Sequence, residues 1–309
     1  MTSTVRHCVV NGPGGVIEVG RDRGLVVIAG PCVLESDDLC QEVAEVVRDA
    51  CGALGLGYIF KGSFDKANRT SGSSPRGPGM ERGLEMLSRV RAQVGVAVTT
   101  DVHEAAQAQD VAQHVDLLQI PAFLCRQTDL LEAASEAAVQ RGRGINIKKG
   151  QFLSPKEMLG PIRKCEAAGC SNVLVTERGT FFGYHRLVTD FIGMGDLMDL
   201  AEVEAVRDWS PPPVCFDATH SAQLPGASST TGGRRDRVEL LARAAVAAGV
   251  DAVFLECHPD PANAQSDAST MLALADVPKL LEELASIAQV VRSGRRVAPK
   301  AERVIAGQR

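Results

Sequence analysis

The sequence YIFKGSFDKANRTSGSSPRGPG, residues 58–79, passes from a short apolar strand straight into a polar loop. The loop contains four cations interleaved with hydroxyl and amide side chains, namely Lys61, Lys66, Arg69 and Arg76. Arg and Lys with short polar donors suit a phosphate or a carboxylate, whereas core packing does not account for them. Because α/β proteins place chemistry in loops that follow strands, the stretch predicts a strand–loop unit with an anion site. A solvated basic loop is the alternative interpretation.

Seven further apolar runs resemble this strand. They lie at residues 25–29, 96–99, 116–120, 144–147, 172–175, 214–216 and 252–255, with amphipathic stretches such as 39–53 and 235–248 between them. Near-continuous apolar strands are typical of a parallel sheet that is covered on both faces. Eight strand–helix units predict an α/β fold, the closed (β/α)8 or TIM barrel. A doubly wound open sheet is the alternative.

The 309 residues are expected to form one domain, because barrels of this type use about 250 residues. Residues 1–24 contain two short β-rich runs around a Gly-Pro-Gly-Gly turn, which predicts an N-terminal hairpin that caps the barrel floor. Residues 294–309 are polar and basic, and are expected to form a solvated tail.

Composition excludes several classes of protein. The chain is 45% hydrophobic with a formal net charge of −5, which gives no support for nucleic-acid or anionic-membrane partners. No apolar run reaches the roughly 20 residues of a membrane span, and no signal-peptide core is present, so we expect a cytoplasmic protein. The nine cysteines form no CxxC pair. Disulfides are therefore not expected, and Cys40, Cys51, Cys165, Cys170 and Cys215 are predicted to be small buried residues.

Every predicted strand ends in polar residues, and in a closed barrel these ends meet at one rim. One subset is cationic: Lys61, Lys66, Arg69, Arg126, Lys148 and Arg178. Converging cations are unfavourable unless they are paired, so they indicate an anionic ligand or structural carboxylates. Two phosphates and a carboxylate would satisfy their number.

A second subset offers metal ligands: Cys32, His220, Glu256 and, on the following loop, Asp267. A thiolate, an imidazole and two carboxylates suit a first-row divalent ion. Their spacing matches no short metal motif, so a hydrogen-bonded core histidine and a packed thiol remain the alternative. His7, His114 and His185 are interpreted as surface or structural residues.

At these positions the chain resembles the 3-deoxy-D-manno-octulosonate 8-phosphate synthase family. The matching strings are IAGPCVLES, YIFKGSFDKANRTS, RGPG, TTDVHE, LLQIPAFLCRQTDL, NIKKGQF, ERGTFFGY, FDATHSAQLPG, GGRR and ECHPDPANAQSDAST. The resemblance implies a transferase that condenses phosphoenolpyruvate with D-arabinose 5-phosphate on the route to bacterial lipopolysaccharide, and a homotetramer. KANR followed by a Ser/Thr pair separates this family from the related arabino-heptulosonate phosphate synthases of aromatic biosynthesis.

The resemblance also implies roles for individual residues. Lys61 and Ser63 would hold the carboxylate of phosphoenolpyruvate, and Lys148 and Arg178 its phosphate. Lys66, Asn68 and Asp101 would bind the aldose along its chain. Arg69 and Thr70 would bind its terminal phosphate across a subunit boundary, and Arg126 would assist a neighbouring subunit. Gln119 and His220 would be further substrate-binding positions.

Cys32, which follows Gly-Pro, implies the metal-dependent branch of the family. His220, Glu256 and Asp267 would complete the ligand set, and Lys61, Cys32, His220 and Asp267 would form the catalytic group. Zinc, iron, manganese and cadmium all suit such a mixed ligand set.

The chain departs from the family pattern at Gly72–Pro75, where relatives carry Ile-His-Ser and an aromatic residue, and in the loop Gly226–Thr231. Both segments are expected near the sugar-phosphate end of the site, so they leave the identity of the aldose open. The alternatives are the same chemistry with another aldose phosphate, including erythrose 4-phosphate, and a non-catalytic sugar-phosphate-binding barrel.

Overall fold

The computed structural model of the protein describes residues 5–67, 76–225 and 232–297. Its strands are β1 Cys8–Gly12, β2 Gly15–Val19, β3 Val26–Gly30, β4 Gly57–Lys61, β5 Ala97–Asp101, β6 Leu117–Ile120, β7 Gly144–Lys148, β8 Val173–Glu177, β9 Val214–Asp217, β10 Gln223–Leu224, β11 Gly232–Gly233, β12 Ala252–His258 and β13 Leu272–Ala273. Its α-helices are α1 Asp37–Leu54, α2 Met80–Val94, α3 Ala108–His114, α4 Thr128–Arg141, α5 Leu159–Ala167, α6 Phe191–Met198, α7 Leu200–Val203, α8 Ala218–Ser221, α9 Arg235–Ala248 and α10 Val277–Val297.

Eight parallel strands, β3 to β9 and β12, form a closed barrel. Each strand pairs with the next in the order β3-β4-β5-β6-β7-β8-β9, and β12 pairs with both β9 and β3. The pairing of Glu256 with Gly30 completes the ring at the carboxyl ends. The predicted (β/α)8 barrel is confirmed, and the closing β12 strand rules out the open doubly wound sheet.

The helices follow sequence signals that cap them and bury one face. In α1, Ser36 caps the first turn by accepting a hydrogen bond from the backbone N–H of Leu39, and Gly55 ends the helix in the left-handed region. Cys40, Val43 and Val47 recur at helical spacing and are fully buried against the outside of the barrel. This packing covers the outer face of the strands, while the inner face forms a separate core.

The N-terminal hairpin closes the barrel at the amino ends of the strands. β1 and β2 pair antiparallel from Cys8 opposite Val19 to Gly12 opposite Gly15. Cys8, Val10 and Val19 pack with the apolar side chains that fill the lower barrel interior. A side chain at Gly12 would collide with Ala97, the first residue of β5, so the hairpin lies directly against the floor.

Three further predictions concern the cysteines, the absence of a membrane span and the C-terminal tail. All nine cysteines are free and buried, including the five predicted to be small core residues. No helix within the described ranges is long and apolar enough to cross a bilayer. Helix α10 continues to Val297, into the segment predicted as a solvated tail, and residues 298–309 lie outside the described part.

Candidate active site and metal centre

The carboxyl ends of the strands bring polar side chains together at one rim of the barrel. Gly30 makes this convergence tight, because a Cβ there would lie 2.0 Å from the backbone oxygen of Lys61. The close approach of β3 and β4 continues into a parallel bridge between Val33 and Ser63. Cys32 is thereby held, almost fully buried, beside the end of β4.

Lys61 is buried at the end of β4 and is paired within the protein. Its Nζ donates to Ser63 Oγ at 2.7 Å and lies 2.9 Å from Asp101 Oδ2, which also accepts from Ser63 at 2.5 Å. Burial lowers the pKa of Lys61, and the charges of Lys66 and Lys148 lower it further, while Asp101 offsets part of the shift. Burial opposes the charge of Asp101, but Lys61 and Lys66 outweigh it and hold the pKa of this carboxyl well below its usual range.

Asp217 holds a lysine and a histidine at once. Its Oδ2 accepts from Lys148 Nζ at 2.6 Å and from His220 Nδ1 at 2.8 Å. Lys148 Nζ also lies 3.8 Å from the centre of the Phe254 ring, a cation–π contact. Since an ionised carboxylate only accepts hydrogen bonds, Nδ1 of His220 carries the proton. In the neutral imidazole the lone pair is therefore on Nε2, which lies 3.6 Å from Glu256 Oε1.

Arg178 is a further buried cation just beyond β8. Its Nη2 donates to Gln223 Oε1 at 2.7 Å, and its Nη1 has no hydrogen-bond partner among the described residues. Burial lowers the pKa of Arg178, and the charges of Asp217 and Asp267 offset part of the shift. A buried guanidinium with a free N–H edge can bind an anion.

Cys32, Glu256 and Asp267 form the candidate metal centre. One ligand atom from each lies within 4.8 Å of the others. The thiol donates to Asp267 Oδ2 at 3.0 Å, and neither carboxylate oxygen of Glu256 has a hydrogen-bond partner within the described residues. Burial, together with the charges of Asp267 and Glu256, raises the pKa of the Cys32 thiol well above its usual range.

These donors fit a divalent ion. A buried carboxylate without partners is costly unless a cation compensates it. The nearby His220 presents a free Nε2, because Asp217 fixes the imidazole in the tautomer that metal ligation requires. Three of the four sequence-predicted ligands thus form one cluster, and the fourth lies beside Glu256.

The remaining predicted site residues divide into three groups. Lys66 lies within electrostatic reach of Cys32, Glu256 and Asp101. Arg126 is exposed, and its charge acts on Glu157. Outside the described residues lie Asn68, Arg69 and Thr70, together with the divergent segments Gly72–Pro75 and Gly226–Thr231.

Gln119 lies inside the barrel, where its amide is hydrogen-bonded to Asp101 and Asn146 at 2.6 and 3.0 Å. Two of the histidines interpreted as surface or structural residues have local partners. His7 pairs with Asp22 at 2.5 Å, and His114 shares a hydrogen bond with Ser88.

Two residues that contact the predicted site residues, Asp217 and Gln223, were not themselves predicted as site residues. Asp217 directly follows the predicted strand at residues 214–216, but nothing in the sequence indicates its two partners. Gln223 joins the two halves of the site, since it accepts from Arg178 and donates to Asp267 Oδ1 at 2.7 Å. No periodicity or spacing in the sequence marks Gln223, because its role depends on how the segment that follows β9 crosses the rim of the barrel.

The protein is a closed (β/α)8 barrel with buried cations and a candidate metal cluster at its carboxyl rim. These features define a class of barrel proteins that bind small anionic ligands at this rim, which is where enzymes of this fold have their active sites. The sequence profile described as the DAHP synthetase I family matches residues 8–292, and the chain belongs to that family.

Curated relatives share a more specific name. The chain is 48% identical over 272 residues to "2-dehydro-3-deoxyphosphooctonate aldolase" of Cyanothece sp., covering 88% of this chain and 94% of the relative. The protein of the same name from Nitratidesulfovibrio vulgaris strain DP4 is 50% identical over 262 residues, 84% of this chain and 91% of the relative. The one from Desulfotalea psychrophila is 45% identical over 292 residues, 94% and 99% of the two chains.

Proposed function

We propose that the protein condenses phosphoenolpyruvate with D-arabinose 5-phosphate to give 3-deoxy-D-manno-octulosonate 8-phosphate and phosphate. The observation that carries the proposal is the buried cationic rim in a chain that is 45–50% identical, over most of its length, to proteins named 2-dehydro-3-deoxyphosphooctonate aldolase. The product is a precursor of bacterial lipopolysaccharide. The substrates are small anions, which matches the charge of the rim.

In this proposal phosphoenolpyruvate binds to buried cations at the rim of the barrel. Lys61 and Ser63 bind its carboxylate, and Lys148 and Arg178 bind its phosphate. An ammonium has three N–H donors, and two of those on Lys61 are used by Ser63 and Asp101, so one is left for the ligand. The unpartnered Nη1 of Arg178 supplies a second free donor. A bound anion also relieves the cost of burying these charges.

Lys66, Asn68 and Asp101 bind the chain and hydroxyls of the aldose, and Arg69 and Thr70 bind its terminal phosphate. Arg126, which is exposed on its own subunit, reaches a neighbouring copy in a homotetramer whose sites lie near subunit boundaries. Phe182, Tyr184 and Ile192 support such contacts, because they expose 99%, 91% and 81% of their surfaces on the segment after β8.

A divalent ion is held by Cys32, His220, Glu256 and Asp267, as in the metal-dependent branch of the family. When bound, such an ion supplies Lewis acidity toward an aldehyde oxygen or a water. Zinc, iron, manganese and cadmium all accept this mixture of sulfur, nitrogen and oxygen donors. The partnerless oxygens of Glu256 and the fixed tautomer of His220 support the assignment.

In the reaction, the methylene carbon of phosphoenolpyruvate forms a bond with the aldehyde carbon of the aldose. One water adds to the adjacent carbon, the carbon–oxygen bond to phosphate breaks, and inorganic phosphate leaves. Lys61, Lys148 and Arg178 hold the reactants in near-attack geometry and offset negative charge on the carboxylate and the departing phosphate.

Phosphate release tests the proposal. Phosphoenolpyruvate is supplied with D-arabinose 5-phosphate, D-ribose 5-phosphate or D-erythrose 4-phosphate, and we expect turnover to be fastest with arabinose 5-phosphate. The family description, DAHP synthetase I, favours erythrose 4-phosphate as the second candidate. Preference for erythrose 4-phosphate would select that function, and no turnover with any of the three would leave a non-catalytic binding barrel.

A further inference from the structure

Four polar side chains on adjacent strands form a hydrogen-bonded chain inside the barrel. Thr176 on β8 donates to Asn146 Oδ1 on β7 at 2.7 Å, and Asn146 Nδ2 donates to Gln119 Oε1 on β6 at 3.0 Å. Gln119 Nε2 in turn donates to Asp101 Oδ1 on β5 at 2.6 Å. Thr176, Asn146 and Gln119 are fully buried, so the chain lies beneath the rim rather than in solvent.

The direction of this chain is fixed from its acidic end. Ionised Asp101 only accepts hydrogen bonds, so Gln119 must turn its NH2 toward it and its oxygen toward Asn146. The same reasoning turns the NH2 of Asn146 toward Gln119 and its oxygen toward Thr176. The single hydroxyl proton of Thr176 then satisfies that oxygen. Each amide therefore has one orientation, which is set from the Asp101 end, and the donor on its other side restrains its position.

The acidic end of the chain determines where Lys61 lies. Asp101 uses Oδ1 for Gln119 and Oδ2 for both Lys61 and Ser63. A rotation of the carboxylate would therefore lengthen its contact with the ammonium. The Gln119 hydrogen bond opposes this rotation.

Stability alone does not explain why these positions are polar. The lower interior of the same barrel is filled by aliphatic side chains, among them Ile28, Ile59 and Leu174, as is usual for this fold. Burying amides and hydroxyls costs free energy, and a complete network mainly recovers that cost while it selects one arrangement. The benefit of such a network is orientation.

We propose that Thr176 and Asn146 are positioning residues that fix the amide of Gln119, and through it the carboxylate of Asp101 and the ammonium of Lys61. They act through other side chains, at a distance of up to four strands from Lys61. That Lys61 binds phosphoenolpyruvate rests on the proposed function. The hydrogen-bonded chain itself is independent of the proposed function.

Three variants test this inference. Thr176→Val removes the hydroxyl that donates to Asn146 with little change of shape, and Thr176→Ser restores it. Thr99→Val is the matched control, because Thr99 is also fully buried on a barrel strand, yet its hydroxyl has no hydrogen-bond partner among the described residues. Asn146→Asp is a second disruption, since it keeps the shape but replaces the donor to Gln119 with an acceptor.

Crystal structures and calorimetric binding of phosphoenolpyruvate are the two readouts. In Thr176→Val we expect a Gln119 amide that keeps its NH2 toward Asp101 but is displaced from its native position, a Lys61–Asp101 contact longer than 2.9 Å, and a dissociation constant raised about threefold to tenfold, the effect of one net hydrogen bond. Asn146→Asp should raise it at least as much. Thr176→Ser should bind like the native chain, and so should Thr99→Val.

Two results would overturn the inference. One is a Thr176→Val structure in which Gln119 and Lys61 keep their native positions; the other is unchanged phosphoenolpyruvate affinity with only a lower melting temperature, which is the signature of a purely structural residue. The crystallographic readout needs neither ligand nor turnover. Absence of turnover in the native protein would therefore count against the proposed function and leave this test intact.

Discussion

Asp217 is the residue on which most of the proposed phosphate-binding end of the site depends. It neutralises Lys148 and fixes the tautomer of His220 from a fully buried position. Burial works against its charge, but His220 and Lys148 outweigh that effect and lower the pKa of Asp217. One carboxylate thus links the proposed phosphate-binding lysine to a proposed metal ligand.

Asp217→Asn is expected to lower kcat/KM at least 100-fold, because Lys148 loses its charged partner and the amide no longer fixes the proton on His220 Nδ1. Steady-state assays of phosphate release measure the effect. Asp236→Asn is the matched control, since Asp236 in the first turn of α9 forms an exposed pair with Arg234 and its replacement should leave the rate unchanged. Equal rates for Asp217→Asn and the native chain would remove Asp217 from the site.

Because Lys61 is buried, we expect the binding of phosphoenolpyruvate to be linked to the uptake of a proton. Burial, with help from Lys66 and Lys148, lowers the pKa of Lys61 in the free protein, and a bound carboxylate must raise it again. Between the two pKa values, binding of phosphoenolpyruvate takes up a proton, so its affinity falls as the pH rises through the free value. Calorimetry in two buffers of different ionisation enthalpy should show greater proton uptake at pH 9 than at pH 7. Proton uptake that is the same at both pH values would contradict the linkage.

At the scale of strands and loops, Gly30 determines how closely β3 can approach β4. A Cβ at Gly30 would meet a backbone atom of Lys61, which cannot move aside as a flexible side chain could. The same approach positions Cys32 beside Ser63 through the hydrogen bond from Ser63 N to Cys32 O. The strand spacing therefore supports both the cationic half of the rim and the candidate metal centre.

Gly30→Ala is expected to destabilise the protein by about 1–3 kcal/mol or more, the cost of overpacking a rigid site. Gly52→Ala offers the opposite expectation, because Gly52 lies inside α1 with nothing within 4 Å of its added Cβ. That change should stabilise by about 0.5–1 kcal/mol. Urea unfolding of both variants measures the two changes in the free energy of unfolding. Equal stability of Gly30→Ala and the native chain would show that β3 can move away.

The strands and their polar ends could be predicted from the sequence, because most of the apolar runs end at or beside a charged or amide residue. Lys61, Lys148 and Glu256 were placed at one rim by that rule alone. Their partners could not be predicted, since pairing depends on register across strands, as for Asp101 opposite Gln119. The metal assignment of Cys32 came from a family resemblance, and the residue types alone left a packed thiol open.

For the whole molecule, charge balance explains how so many ions can share one rim. Lys61, Lys148 and Arg178 each lie near a carboxylate, and every one of these carboxylates is buried or nearly so. That residues 1–309 form one domain and assemble as a homotetramer stays a prediction. A single unfolding transition and the mass in solution would test these two points.

Metal removal gives a test at the same scale. We expect a chelator to abolish activity and an added divalent ion to restore it, with about one ion bound per chain. Cys32→Ala should lose most of its bound metal, measured by elemental analysis after dialysis. Cys40→Ala is the control, because Cys40 is equally buried in α1 and away from the cluster. Full metal content in Cys32→Ala would exclude the thiol as a ligand.

A crystal structure grown with phosphoenolpyruvate and Mn²⁺ addresses the central claim most directly, since anomalous scattering locates the metal and the density locates the ligand. The account predicts the ion among Cys32, Glu256 and Asp267, with the ligand beside it on Lys61, Lys148 and Arg178. Phosphoenolpyruvate bound elsewhere on the protein, or an ion absent from this cluster while another site is occupied, would contradict it.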